Sequence, residues 1–274
     1  MNQAVGIVHL YPTLMGTYGD GGNVRLLVRR LAVRGLGATV ITVNPGDAVP
    51  ELADLYVIGG GEDVSQVVAA RQLATSGALG RALDRGAVLF AVCAGLQVLG
   101  HSFEVAGGRL EPGLGLLDAT TVRRQPRAVG EVLAQPFDGS PLLTGYENHG
   151  GGTLLGPLAR PLAQVIAGVG NGGGAKGDGT EGMVQGNIVA TYLHGPVLAR
   201  NPALADRLLA MALAGGRPSG ASGLGQVGRP NAKRSIRLPE LAPYEAPYVA
   251  DLRAEREQYT RSGRLSAESA RTRR

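Results

Sequence analysis

The chain has 274 residues, of which 44% are hydrophobic, 44 are glycine and one is cysteine. That length supplies a sizeable core, and so many glycines suit an α/β enzyme with loop-borne chemistry. A single cysteine excludes an internal disulfide and any multi-cysteine metal site, and without a signal peptide it points to a reducing cytosol.

The net charge of +5 is uneven, because Arg217 to Arg274 carries 12 Lys+Arg against 6 Asp+Glu and the rest is close to neutral. That tail has no aromatic stacking pattern and no dense Lys/Arg block, so it reads as a solvated extension rather than a nucleic-acid or membrane contact. The longest apolar stretch, Ala87 to Leu99, is too short to span a bilayer and contains Gln97.

In chain order, Val5–Leu10 reads as a short buried strand, followed by a polar, glycine-rich turn from Gly16 to Asn23. Val24–Arg34 has apolar positions at helical spacing and stops at Gly35. Ala38–Val43 is a second strand, and Leu55–Ile58 a third that ends in Gly59-Gly60-Gly61. The spacing predicts a helix over Gln66–Arg85. Ala87–Val92 is a continuous apolar run, as in a central parallel strand covered on both faces, and it leads into Cys93 and a helix start at Leu96–Leu99. Such alternation predicts a doubly wound α/β sheet.

Beyond Leu110 the segments shorten, with strands expected over Gly115–Val122, Ala128–Leu133, Leu142–Glu147 and Leu162–Val169. A glycine-rich loop over Gly170–Gly182 follows, then a strand over Asn187–Tyr192 that delivers His194, and a last core helix over Ala203–Ala214. One domain is expected over 1–216, with 217–274 a basic extension that is partly helical between Tyr244 and Ser266.

Cys93 falls where the apolar strand meets small residues and a helix, in Val92-Cys93-Ala94-Gly95-Leu96-Gln97. A sharp strand-to-helix turn lifts a nucleophile clear of the sheet. Ala91, Ala94 and Gly95 leave room for the sulfur, and a helix N-terminus favours thiolate over thiol. A lone cysteine is more commonly a buried structural residue; the elbow reverses that reading.

A thiolate nucleophile needs a base, and the chain has four histidines. His9 lies in the first strand and His101 just past the start of the nucleophile helix. His194 follows an apolar strand and precedes Gly195-Pro196, at the C-terminal edge where open α/β sheets carry their sites. His149, among polar and glycine-rich neighbours, is also placed to line a cleft and remains its rival. The Gly59-Gly60-Gly61 turn can present a backbone N–H to an oxyanion together with that of Ala94, although an ordinary strand-end turn would look the same. The chain contains no G-x-x-x-x-G-K-[ST] loop, and so no recognisable nucleotide site.

Taken together, these residues resemble the class I glutamine amidotransferases. Cys93-Ala94-Gly95-Leu96-Gln97 is similar to their C-x-G-x-Q elbow, and Tyr192-Leu193-His194-Gly195-Pro196 to the Y-x-H-G-P element of the cobyric-acid-synthase-like branch. Within that branch, Tyr18 to Asn23 resembles the Y-G-D-x-G-N segment of the GatD subunits of lipid II isoglutaminyl synthases, and Glu147 to Gly151 their E-N-H-G-G segment. The motifs run in order between Val5 and Ala214.

The resemblance implies an α/β fold with a mostly parallel sheet flanked by helices. It implies Cys93 as nucleophile, His194 as base, the backbone of Gly60 and Ala94 around the oxyanion, and Arg127 with Gln97 at the glutamine. A guanidinium can grip an α-carboxylate in bidentate fashion, but the residues alone do not choose among Arg123, Arg124 and Arg127. It further implies no metal or cofactor in this chain, with ATP on a Mur-ligase-like partner, MurT, that amidates the D-glutamate α-carboxyl of lipid II. The pair would be a cytoplasmic heterodimer with no nucleic acid and no membrane insertion. Amidation of a cobalamin precursor, or a stand-alone cysteine amide hydrolase, is the alternative.

There are two departures. Ala91 stands where many class I members have glycine, and His194-Gly195-Pro196 stands where the usual triad has H-x-E. The acid that orients the imidazole must therefore come from elsewhere, either from a partner or from this chain, where Asp20, Glu147 and Glu181 are the first candidates.

Overall fold

The computed structural model describes residues 4–172, 179–215 and 247–271. Strand β1 (Val5–Leu10) leads into helix α1 (Gly21–Ala32), and β2 (Ala38–Val43) and β3 (Leu55–Ile58) follow. The predicted helix over Gln66–Arg85 is two helices, α2 (Asp63–Ser76) and α3 (Ala78–Asp84). Gly77 divides them, capping both from a left-handed conformation (φ 60°) that a helix interior cannot hold.

Strand β4 (Val88–Val92) then runs through Cys93 into helix α4 (Ala94–Leu99). A short hairpin of β5 (Ser102–Val105) and β6 (Arg109–Pro112) comes next; the alternation in β5, with Phe103 and Val105 buried, runs for only four residues, too few to mark a strand by itself. The two strands expected between Gly115 and Leu133 are one long strand, β7 (Ala119–Pro136), with a break in register between Arg123 and Ala128. The remaining strands are β8 (Leu143–Leu155), β9 (Arg160–Ala167), β10 (Thr180–Gln185) and β11 (Ile188–Thr191), so β10 begins inside the expected glycine-rich loop. Helices α5 (Val197–Arg200), α6 (Pro202–Leu213) and α7 (Pro247–Arg271) complete the chain. Positions 173–178 of the expected loop and 217–246 of the expected extension lie outside the described residues.

All eleven strands form one sheet, in the order β2-β1-β3-β4-β11-β10-β9-β7-β5-β6 with β8 paired to β7. The half from β2 to β11 is parallel, so the C-terminal ends of β1, β3, β4 and β11 share one edge. Strands β3, β4 and β11 are buried along their whole length, as their largely apolar sequences require, and the Thr191 hydroxyl that ends β11 donates to Glu181. Beyond β11 the pairing turns antiparallel through β10, β9, β7 and β8. Helix α1 is tied to α6 by Arg30 and Arg34, which both pair with Asp206, at 2.5 and 3.0 Å. In the C-terminal extension α7 docks on the antiparallel half, where Arg253 donates to the Leu142 carbonyl at 2.8 Å.

Candidate active site

The elbow is strained where the sequence places it. Cys93 sits at φ 52°, ψ −111°, a left-handed conformation that is rare outside glycine, and its N–H donates to the Thr191 carbonyl at the end of β11 (2.8 Å). The tight turn needs glycine two residues on. A Cβ on Gly95 would stand 2.8 Å from the Gly59 carbonyl oxygen, an approach that backbone cannot yield to. The thiol is largely buried, at 7% exposure.

His194 lies just past β11, where its backbone exchanges two hydrogen bonds with Tyr146 (2.7 and 3.1 Å). Its Nδ1 faces the Asp20 carboxylate at 3.1 and 3.2 Å, and both side chains are 1% exposed. Asp20 occupies the N-cap position of α1 but makes no side-chain cap bond; its carboxylate instead accepts from the imidazole and, at 2.7 Å, from the Gly60 N–H. The carboxylate facing the imidazole thus comes from the loop after β1, 174 residues from the histidine it meets.

Across the ring, Nε2 is buried without a hydrogen-bond partner of good geometry, and the Cys93 sulfur lies near enough to act on its proton affinity. Burial alone would push the imidazole pKa down. The hydrogen bond to Asp20 and the adjacent Cys93 outweigh burial, and the value is pushed up to about 10.

Gly60, expected as an oxyanion donor, does not fit that role in this arrangement, because its N–H is engaged by Asp20. Its lack of a side chain is what the site uses. A Cβ there would lie 2.8 Å from His194 Cε1 and 3.3 Å from Cys93 Cβ, so glycine lets the base and the nucleophile close on the turn. Ala94 follows Cys93 as the first residue of α4, where helical N–H groups have no intrahelical partner.

The other candidate acids serve elsewhere. Glu147 accepts from the N–H groups of Val169 and Gly170 (2.8 and 2.9 Å) and faces His149 Nε2 at 3.3 Å. His149 is held on its other side by the Gly151 carbonyl (2.8 Å) and stacks on Tyr192 with ring centroids 3.8 Å apart. The rival histidine is therefore held in the wall of the cleft by both ring nitrogens. Glu181 accepts from the Thr191 hydroxyl and the Tyr192 N–H (2.8 and 2.7 Å), and burial, opposed by those bonds, pushes its pKa up to about 7. His9 lies on the side of Asp20 away from the cleft, and burial lowers its pKa against the pull of that carboxylate. His101 pairs with Asp118 on the surface.

A cleft opens in front of Cys93, with Tyr18, Gly61, Arg123, Arg127 and Asn148 along its walls. Arg127 donates from Nε to Asn148 Oδ1 (2.5 Å) and from Nη2 to the Asn148 carbonyl (3.0 Å). Arg123 reaches the cleft but leans on Asp63 (3.3 Å), and Arg124 turns toward the Gly172 carbonyl (3.2 Å). Gln97 lies on the cleft floor with both amide ends engaged, Nε2 to the Tyr192 hydroxyl (3.1 Å) and Oε1 from Gln66 Nε2 (2.8 Å). Reading the residues alone missed Tyr18 and Asn148 as cleft residues; the only signal for them lay inside the two glycine-rich motifs that contain them.

Residues 6–202 match the CobB/CobQ-like glutamine amidotransferase domain. Over 212 residues the chain is 35% identical to the lipid II isoglutaminyl synthase (glutamine-hydrolyzing) subunit GatD of Streptococcus pneumoniae, which covers 76% of this chain and 80% of that protein. Over 205 residues it is 32% identical to the subunit of the same name from Staphylococcus aureus, covering 74% and 82%. A crystal structure of a glutamine amidotransferase shares the fold with a TM-score of 0.52 at 21% identity, covering 75% of this chain and 98% of that one. A strained cysteine elbow with a carboxylate-oriented histidine, the domain match over most of the chain and two GatD relatives agree: the chain belongs to the CobB/CobQ-like glutamine amidotransferases, among the GatD-type glutamine-hydrolysing subunits.

Proposed function

We propose that this chain hydrolyses L-glutamine at Cys93 and passes the ammonia to an ATP-using, Mur-ligase-like partner of the MurT type, which amidates the D-glutamate α-carboxyl of lipid II. The observation that carries the reading is the line Cys93–His194–Asp20 at one edge of the parallel sheet. With the proton on His194, the Cys93 sulfur attacks the γ-carboxamide carbon of glutamine. The oxyanion is held by the N–H of Ala94 and a second backbone donor, for which Gly61 replaces Gly60 because the Gly60 N–H is taken. The imidazolium then protonates the departing ammonia. A water attacks the thioester and gives its proton to His194, and glutamate leaves.

Arg127 is the anchor for the substrate α-carboxylate, because it is the arginine whose guanidinium is buttressed at the cleft wall. Gln97 supports the floor and has one amide hydrogen left for the substrate. Every step uses side chains and backbone N–H groups of this chain with water, so no resident cofactor is needed for hydrolysis. ATP belongs with the partner, since a carboxylate must be activated before ammonia can attack it. Both curated relatives are named as subunits of a synthase, which supports a partnered enzyme. The pair is read as a cytoplasmic heterodimer; no helix among the described residues is long and apolar enough to cross a membrane. The amidotransferase domain spans 1–216, and 217–274 is an extension whose helix α7 rests on the antiparallel half of the sheet.

The test is ammonia release from glutamine by the full chain and by Cys93→Ala, with circular dichroism of both. The variant is expected to keep its spectrum and lose activity; retained hydrolysis with a normal spectrum would remove Cys93 from the mechanism.

A further inference from the structure

Tyr18 has a backbone conformation that nothing local explains. It sits at φ 60°, a region bulky side chains avoid, and it is followed by Gly19 at φ 80°. The loop around it is pinned to the turn after β3. Thr17 N–H donates to the Gly60 carbonyl at 3.1 Å, and Asp20 accepts from the Gly60 N–H at 2.7 Å. Between these two ties the Tyr18 ring projects over the cleft. It meets His194 edge-on, with ring centroids 4.9 Å apart at 66°, and Tyr146 at 6.4 Å. Its hydroxyl accepts a hydrogen bond from Asn148 Nδ2.

The other end of the same amide, Asn148 Oδ1, accepts from Arg127 Nε, and the Asn148 carbonyl accepts from Nη2. One asparagine side chain therefore holds the roof over the base and braces the arginine of the cleft wall. We propose that Tyr18 and Asn148 are positioning residues that couple the substrate anchor to the catalytic histidine. Asn148 spends the Nε edge of Arg127 and leaves the opposite, Nη1 side of the fork for the α-carboxylate of glutamine. The same amide fixes Tyr18, whose ring limits rotation of His194 and screens the sulfur from solvent. The strain at Tyr18 is maintained by these contacts, as strained residues at working sites commonly are. The inference rests on the glutaminase reading and on Arg127 as anchor.

Coupling makes a prediction that a merely structural tyrosine does not. Tyr18→Phe keeps the ring over His194 and removes only the bond to Asn148, at a distance from the anchor. It is expected to raise KM for glutamine several-fold with a smaller change in kcat, and to do so only when Arg127 is present. The experiment measures KM and kcat for the full chain, with and without its partner subunit, in the parent, Tyr18→Phe, Arg127→Ala and the double variant, with melting temperatures as a fold control. Calorimetric binding of glutamine in a Cys93→Ala background supplies the same comparison where turnover is too slow to follow. The expected result is a double variant no worse in KM or Kd than Arg127→Ala alone. Multiplying effects, or an unchanged KM in Tyr18→Phe, would overturn the coupling while leaving the glutaminase reading intact. A parent chain that releases no ammonia from glutamine would instead remove the reading on which it rests.

Discussion

In the proposed mechanism Asp20 is the residue on which the chemistry turns. Its carboxylate orients the Nδ1 side of His194 and helps hold the imidazole pKa at about 10 against the effect of burial. Asparagine at this position keeps the shape, loses the charge and can present the wrong hydrogen-bonding partner to Nδ1. Asp20→Asn is therefore expected to cost roughly 10²- to 10⁴-fold in kcat. The pH profile should move as well. The imidazolium is the acid that protonates ammonia, so activity falls as pH rises through the His194 pKa, and removing Asp20 lowers that pKa. The alkaline limb of the rate profile, expected near pH 10 in the parent, should shift to lower pH in the variant. An unshifted limb would mean that Asp20 does not set the proton affinity of His194. The same sign governs stability: because the folded pKa lies above the ordinary 6.5, the stabilisation from protonated His194 is complete below about pH 6.5 and is lost as pH rises through about 10.

Between elements, the site is a set of close approaches that only glycine permits. Turn residues Gly59 to Gly61 at the end of β3 pack on the elbow between β4 and α4 and on the histidine carried by β11. Two substitutions separate chemistry from architecture here. Gly60→Ala sets a Cβ 2.8 Å from His194 Cε1, a side-chain atom that can move, so the imidazole is displaced and the fold survives. Its kcat is expected to drop by at least about tenfold, by misplacement of the base, with little change in melting temperature. Gly95→Ala sets a Cβ 2.8 Å from the Gly59 carbonyl oxygen, which is backbone, so the elbow itself must shift. That variant is expected to lose stability, by about 1–3 kcal/mol, along with activity. Calorimetric melting and steady-state rates on both proteins check the contrast, and equal melting temperatures would contradict it.

Across the whole molecule the sheet divides the labour. Its parallel half gathers the ends of β1, β3, β4 and β11, which supply Asp20, the glycine turn, Cys93 and His194. Its antiparallel half brings Arg127 on β7 and Asn148 and His149 on β8 to face them. In the proposed mechanism the carboxylate that faces His194 belongs to this chain, so hydrolysis would not wait on one from a second subunit. The isolated chain is expected to release ammonia from glutamine at a rate within roughly tenfold of that with its partner present, since transition-state groups are common to both. Ammonia assays of the chain, the partner and the mixture test this. A thousandfold rise on mixing would show that the partner supplies or aligns part of the site.

Local sequence was enough for whatever depended on neighbours along the chain. The apolar runs Leu55–Ile58 and Val88–Val92, and Val5–Leu10 with His9 as its one polar side chain, form buried strands, because burial on both faces leaves little room for polar positions in the pattern. Small residues after Cys93 mark the elbow for the same local reason, and His194 at a strand end before Gly195-Pro196 is readable as a candidate base, with His149 beside it as a rival. The division of Gln66–Arg85 at Gly77 was not legible, because one glycine is compatible with a continuous helix until packing demands a left-handed turn. Nor was the single strand behind Gly115–Leu133, whose register break around Arg124 hides its continuity. Asp20, Glu147 and Glu181 were equal candidates as strings of letters. Parallel pairing of β1 with β3, of β3 with β4 and of β4 with β11 sets Asp20, and not the other two, against His194, since it brings the ends of β1 and β11 to one edge although they lie far apart in the chain. A hydrogen bond between residues 174 positions apart has no local signature; it exists because the sheet closes that distance to 3.1 Å.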